Sequence, residues 1–385
     1  MLTGRRAALR RGGDERTSGG LRHNAPVTSP RPADPTSSPR SLSGLPDGWT
    51  ARLPRLDDLG ALVDLRGADK RPWTGSGSVD REAVESEIAG PASWTRRQVV
   101  LVDPAGEVRG WVVVHDRAAG RTMLHVYVDR DHVERDVQDR VAAAAYAFVE
   151  EQAAAFCRLR GVTSTRLDAS PFAEDVVQRQ WLADAGYALR RTWLQMSRPV
   201  VPAEADELPG PREGVTIRRV DSHENDLPVA GDLQIVHEML ESSFEDHFNS
   251  YRESFPEFVQ RLREDPGHRW DHWWLAFVEV DGAQLAAGAV VSTVLPESAA
   301  GHEGSYVDYI GVHRDARGRG VAKALLHTVI ADAARRGRDR VGLEVDDDSP
   351  TGADGLYTSM GWTTDYVTES WFRDLEIEPG DGVES

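Results

Sequence analysis

Between Val312 and Ala322 the chain reads Val-His-Arg-Asp-Ala-Arg-Gly-Arg-Gly-Val-Ala, two glycines spaced among arginines. Apolar residues at Val321, Ala324, Leu325 and Val329 follow at helical spacing, and an alternating apolar run precedes, so the segment joins a strand to a helix. Glycine lets a backbone approach a ligand without a side-chain clash. The first amides of a helix have no partner inside it and, with the helix dipole, favour an anion. Arg317 and Arg319 add positive charge beside Gly318, Gly320 and Val321. The chemistry this arrangement suits is a diphosphate seated on the helix start. No Gly-Lys-Ser/Thr follows, which separates the loop from a nucleoside-triphosphate loop.

The rest of the sequence bounds what such a site could serve. Its 385 residues are enough for two or three domains, and a hydrophobic share of 40% supports ordinary cores. The net charge of −18 makes a nucleic-acid partner a poor fit, because phosphate contacts dominate that binding. Surplus carboxylates suit a cationic substrate such as a small amine, and serve solubility equally well. No apolar run reaches membrane-spanning length, and the basic start has no apolar stretch after it, so neither a membrane partner nor a secretory signal is expected. The single cysteine, Cys157, excludes an internal disulfide and a cysteine-built metal site, and no metal is expected. A cytoplasmic protein, monomer or homodimer, is the expectation.

Two stretches of similar plan must position the loop. Residues 1–44 are rich in Arg, Gly, Ser and Pro and read as a disordered tail; 200–214 has linker composition, and 377–385 is a short tail. Within 45–199 the patterns predict strands at 49–53, 98–102, 108–114, 122–128, 163–168 and 188–198, with helices at 56–65, 79–88, 137–159 and 175–185. Within 215–376 they predict strands at 215–220, 274–280, 285–294, 305–312, 341–345 and beyond 363, with helices at 231–248, 255–263, 321–336 and 353–360. The fold class is mixed α/β (α+β), two tandem domains, each a mixed central sheet flanked by helices.

With the loop stands a second segment, Leu343 to Trp362, which contains Ser349 and then Ala-Asp-Gly-Leu-Tyr-Thr-Ser-Met-Gly-Trp. On these two motifs the chain resembles the GCN5-related N-acetyltransferases (GNAT family), in which a Gln/Arg-x-x-Gly-x-Gly/Ala loop is followed by Ala-x-x-Leu-Tyr-x-x-x-Gly-Phe. Asp315 stands where the family has Gln or Arg, and Trp362 replaces the Phe. The resemblance implies acetyl-CoA as co-substrate, its diphosphate held by Arg317, Gly318, Arg319, Gly320, Val321 and Ala322. It also implies a cofactor contact at Ser349, and backbone groups of Ile310 and Val312 along the pantetheine arm. Tyr357 matches the tyrosine that protonates the departing sulfur.

Acyl transfer to an amine also needs a base. By period two, Tyr306, Asp308, Ile310 and Val312 share a face. With the pantetheine arm along Ile310 and Val312, as the resemblance implies, Asp308 lies where an amine would arrive, although a strand carboxylate with a local partner explains it equally well. Glu344 on the next strand is a second candidate, and a water relay a third. Carboxylates at Glu238, Glu241, Glu245 and Asp246, with His247, lie where the family builds its acceptor site, although a solvated helix face explains them as well. Trp270, His272, Trp273 and Trp274 are expected mostly in the core.

The first half lacks both cofactor signatures: its loop reads Asp129-Arg130-Asp131-His132-Val133-Glu134 without glycine, and Leu182 stands at the tyrosine position. A degenerate, non-catalytic copy is expected there. Tandem arrangements of this kind occur in actinobacterial acyltransferases, mycothiol synthases among them, to which the likeness is loose because their first half keeps a glycine loop. The expected reaction is direct transfer of an acetyl group to a primary amine, on a small metabolite or antibiotic-like acceptor. Acetylation of a protein N-terminus or lysine, and a non-catalytic acetyl-CoA-binding module, are the alternatives.

Overall fold

A computed structural model of the chain describes residues 42–117, 120–244, 253–280, 282–298, 300–348 and 353–378. In the first half β1 (Thr50–Arg52), α1 (Leu59–Thr74) and α2 (Arg81–Ala89) precede β2 (Arg96–Val102), β3 (Val108–Arg117) and β4 (Arg121–Val128). Then come α3 (Arg135–Arg160), β5 (Ser164–Ala169), α4 (Val176–Asp184) and β6 (Ala188–Pro199). A short helix, α5 (Glu204–Glu207), leads to β7 (Val215–Arg219), α6 (Ala230–Phe244) and α7 (Phe255–Arg263). The chain continues through β8 (His268–Val280), β9 (Ala283–Leu295), β10 (Gly304–Val312), α8 (Val321–Arg335), β11 (Arg340–Asp346), α9 (Ala353–Ser359) and β12 (Thr363–Glu376).

Local chemistry accounts for these limits. Asp80 caps α2 by accepting from the amides of Glu82 and Ala83. Ser254 and Glu257 form a capping box that starts α7. Along β4 burial alternates strictly, the pattern of a strand with two different faces. Helix α1 runs well past the expected stop at Leu65 and accommodates Pro72 in its last turn. Strand β8 begins six positions before the expected Trp274, with an irregularity in its pairing between His268 and Trp273. Trp273 and Trp274 are both buried, one on each face of the sheet.

All described strands belong to one twelve-stranded sheet, in the order β1-β2-β3-β4-β5-β12-β6-β11-β10-β9-β8-β7. The last strand of each half is exchanged: β12 lies between β5 and β6, and β6 pairs along its length with β11. Helices α1 and α2 cover one face of the first half through Leu59, Leu62 and Val84, and α6 and α7 cover the second through Leu233, Leu240 and Phe258. On the opposite face α3 packs through Val141, Tyr146 and Phe156, and α8 through Leu325, Val329 and Ile330. The segment of linker composition is docked on α8: Arg335 donates to Ala205 O at 2.6 Å, and the His327 ring meets Pro209 O at 3.1 Å.

Candidate active site

Strands β10 and β11 are paired over three positions only, Ser305 with Val341, Tyr306 with Gly342 and Val307 with Leu343. Beyond Val307 they part. On its other edge β10 stays paired to β9 as far as Val312, but one residue, Asp308, is extra between Val307 and Tyr309. Such a bulge bends and twists the strand that carries it. The result is a wedge between β10 and β11 that opens toward the 313–320 loop.

The bulge also corrects the expectation that Tyr306, Asp308, Ile310 and Val312 share a face. Ile310 and Val312 pack beneath α8 with Val321 and Leu325, whereas Tyr309 packs against Leu240 and Phe258 beneath α6 and α7. Asp308 lies on the latter side, where the Thr293 side chain bonds it and Arg261 attracts it. The period of two fails because one inserted residue reverses every side chain after it.

The loop at the mouth has the geometry an anion needs. Gly318 and Gly320 both adopt left-handed φ, +79° and +81°, which other residues enter only with strain. The first bond of α8 runs from Ala324 N to Gly320 O at 3.0 Å, so the amides of Val321, Ala322 and Lys323 precede the helical ladder. A Cβ at Gly320 would stand 3.1 Å from Cδ and Nε of Arg212, an exposed linker arginine drawn over the loop. Asp315, at the position where the family has Gln or Arg, points into solvent 3.7 Å from the His313 ring.

Three of the expected chemical groups come to the wedge. Asp308 is half-buried, and its Oδ2 has no hydrogen-bond partner among the described residues. Burial, and then the Asp265 carboxylate, push its carboxyl up to about 8 against the pull of Thr293 and Arg261. Glu344 stands at a solvent-open position of β11; the protein mass around it raises its carboxyl, and the bond from Gln195 opposes that. Tyr357 is buried on the α8 side with its ring edge-on to Trp362, centroids 5.9 Å apart, and burial pushes its phenol up to about 12. Ser349, Glu245, Asp246 and His247 lie outside the described residues. Glu238 is exposed on α6.

Sequence reasoning missed the polar side chains that tie these groups together. Gln195 of β6 donates to Glu344 Oε2 at 2.8 Å and to Thr368 Oγ1 at 3.0 Å, and accepts from Tyr306 at 3.4 Å. Arg261 donates twice from Nε and Nη2 to Glu253, at 2.9 and 2.7 Å, and once to Tyr309 at 2.8 Å. No local motif marks Gln195 or Arg261; only the strand exchange and the packing of α7 bring them in.

The equivalent place in the first half is built differently. Strand β4 keeps its register with β3 without a shift. Gln178 of α4 donates to Val126 O at 3.4 Å, and Arg130 forms a double hydrogen bond with Asp175 at 2.9 and 2.8 Å while covering the Trp181 ring. Side chains of this half therefore occupy the groups that the second half leaves open.

Comparison with known proteins places these observations. Residues 235–362, which include the wedge, the loop and Tyr357, match the model of the Acetyltransferase (GNAT) family. This segment is a GNAT acetyltransferase segment. The GNAT fold extends beyond it. A GCN5-related N-acetyltransferase from Sphaerobacter thermophilus superposes with a TM-score of 0.64 at 23% identity, covering 86% of this chain and 97% of that one. A tandem GNAT protein from the clavulanic acid biosynthesis pathway gives a TM-score of 0.61 at 15% identity, covering 86% of this chain and 99% of that one. None of the curated proteins matches the chain. The tandem GNAT architecture with a mixed sheet is thus the fold of the chain. Among the described residues no helix is long and apolar enough to cross a membrane.

Proposed function

We propose that this GNAT protein is an acetyl-CoA-dependent N-acetyltransferase with one working site per chain, the wedge between β10 and β11, and that its acceptor is a small molecule with a primary amine. The observation that carries the reading is the bulge at Asp308. It parts β10 from β11, and the opening leads to a glycine-built helix start that the equivalent loop of the first half lacks. The diphosphate would rest on the amides from Gly318 to Ala322 with Arg317 and Arg319 beside them. Ile310 and Val312 would offer backbone groups along the unpaired edge of β10. Acetyl-CoA, when bound, supplies an acyl thioester.

The remaining work falls to two side chains on opposite faces of the sheet. Asp308, on the α6 and α7 side, takes a proton from the incoming amine, and a carboxyl that ionises near pH 8 is matched to that task. Tyr357, on the α8 side, stays protonated at neutral pH and gives its proton to the departing sulfur. The amine nitrogen would attack the thioester carbonyl carbon with its proton passing to Asp308, and the C–S bond would break as Tyr357 protonates the sulfur. Cys157 is buried on α3, far along the chain from the wedge, and no covalent enzyme intermediate is invoked. Glu344 lines the wedge beside Gln195 and helps hold the acceptor. The first half, with its loop closed by Arg130, Asp175 and Gln178, is the non-catalytic partner.

Calorimetric titration with acetyl-CoA, followed by thiol release from acetyl-CoA across a panel of amines, tests this reading. One site per chain and amine-dependent thiol release are expected. Two sites would show that the first half works as well, and no binding would sink the proposal.

A further inference from the structure

We infer that the acceptor carries a second positive charge besides its reacting amine, and that Glu344 binds it. The inference rests on the acetyltransferase reading above and deepens it.

Strand register sets the two carboxylates of the wedge side by side. Val307 and Leu343 form the last rung between β10 and β11, so the next residues along the two strands are Asp308 and Glu344. Both point to the same face of the sheet. Leu343 and Val345 pack under α8, which turns Glu344 the other way, and Asp308 is bonded by Thr293 on that other side. Tyr306 closes the narrow end of the wedge. Its ring lies over Gly342, where a Cβ would come within 3.1 Å of the ring's Cδ2, and its hydroxyl reaches Gln195 at 3.4 Å. Gln195, on the strand that the first half lends to the second, donates to Glu344 Oε2 at 2.8 Å. The carboxylate is thus held in place at a solvent-open position, beside an aromatic wall.

Other carboxylates of this face have their cations. Asp346, two residues on along β11, is paired with Arg191, Asp168 of β5 with Arg121, and Glu253 with Arg261. Among the described residues neither Asp308 nor Glu344 forms an ion pair, and Asp308 Oδ2 is buried without a donor. The guanidinium that attracts Asp308, that of Arg261, is spent on Glu253 and Tyr309. Like charges facing each other across strands are destabilising, and the fold leaves these two for a ligand to balance. A single amine cannot do so through the reaction. It must lose its proton to attack, and Asp308 takes that proton. A bare Glu344 would then repel the negative charge that develops on the thioester oxygen. A second ammonium seated on Glu344 removes that repulsion, with its methylene chain along the Tyr306 ring. Paired strands lie about 4.8 Å apart and these two spread beyond Val307, so roughly three to five carbons separate the two nitrogens. The substrate class is a diamine, or a longer polyamine of that spacing.

The test compares putrescine and cadaverine with the amino alcohols of the same length, in which a hydroxyl replaces one amine. Thiol release from acetyl-CoA is followed with the full chain, and binding of each compound to the coenzyme A complex is followed by calorimetry. The diamines should have a kcat/KM higher by about 10- to 100-fold, the scale of a charged hydrogen bond, and bind more tightly by a similar factor. Glu344→Gln should bring the members of each pair to within about twofold of each other. Gln195→Lys, which sets a cation beside Glu344 from within the protein, should have the same effect and carries the comparison if the first variant does not fold. Equal values within the wild-type pairs overturn the inference, as does a preference that survives in a folded variant. Rates that fall alike for both members of a pair in Glu344→Gln also overturn it, and give Glu344 the part of the base. So does a wild type that binds acetyl-CoA and neither diamine. Failure of the wild type to bind acetyl-CoA would overturn the acetyltransferase reading itself.

Discussion

Arg96 in β2 donates to Glu264 at the end of α7, 2.7 Å away and 168 positions along the chain. Glu264 also accepts from Thr95 at 2.8 Å and faces His115 at 3.4 Å, and its carbonyl accepts from Ser86 at 3.2 Å. Three residues of the first half thus converge on one buried carboxylate of the second, and a fourth bonds its backbone carbonyl. Its carboxyl is held below the usual range: burial works against this, and the bonds from His115 and Arg96 outweigh it. Removing one member of a buried pair typically costs about 3–5 kcal/mol, because the other is left charged and alone. Glu264→Ala should therefore lower the thermal midpoint by several degrees, read by calorimetry. A midpoint within a degree of wild type would show that the clamp is incidental.

The anion site admits a sharper test. Gly320 has a left-handed φ and sits against Arg212, so Gly320→Glu adds strain, bulk and a negative charge at the helix start. Acetyl-CoA affinity should fall by at least about 100-fold, the sum of a lost dipole contact and a like charge. Circular dichroism should change little, since the position lies in a surface loop. Retained affinity in a folded variant would move the cofactor elsewhere.

For Tyr357→Phe the expectation is a fold that survives, because the ring and its edge-on contact with Trp362 remain. The maximal rate should drop by about 100-fold, the lower end of the range for a lost proton donor. An unchanged rate would leave Tyr357 as a core residue alone.

Asp308 links activity and stability to pH in opposite directions. Its folded pKa, about 8, lies above the ordinary carboxylate value. The fold therefore favours the neutral form, and this contribution to stability is full below about pH 4 and lost as pH rises through about 8. Activity needs the ionised form, so kcat/KM should climb with pH and level off above about 8. Asp308→Asn should slow the reaction by about 100-fold or more and abolish that inflection. A pH profile of the same shape in the variant would give the base to Glu344 or to water.

What could be read from the sequence follows the range of the forces involved. The loop from Val312 to Ala322 and the segment around Tyr357 are local, each defined by neighbours in the chain; the loop joins β10 to α8, and Tyr357 lies on a helix, as their spacing predicts. Strand and helix order was legible for the same reason. Asp308 as a bulge was not, because a strand with one inserted residue has no mark in an apolar run; the error reversed the faces of Ile310 and Val312. Gln195 and Arg261 reach the wedge only through strand pairing and helix docking, across separations that spacing rules do not cover. The segment after Val200 reads as a linker from its prolines, and it still docks on α8 through backbone oxygens, which any sequence possesses.

The exchange of β6 and β12 sets an order on the making of this protein. A chain leaves the ribosome from its N-terminus, and β5 can acquire its β12 neighbour only when the last strand has emerged. Until then the first half has an open sheet edge, with the ladder groups of β5 unpaired and ready to join a wrong partner. Completion of the first half thus waits on β12, which follows every other described strand in the chain. Premature termination before Thr363 would not yield a smaller acetyltransferase with an intact neighbour; it would leave both halves unclosed, and the cell would meet the product as a substrate for its chaperones and proteases.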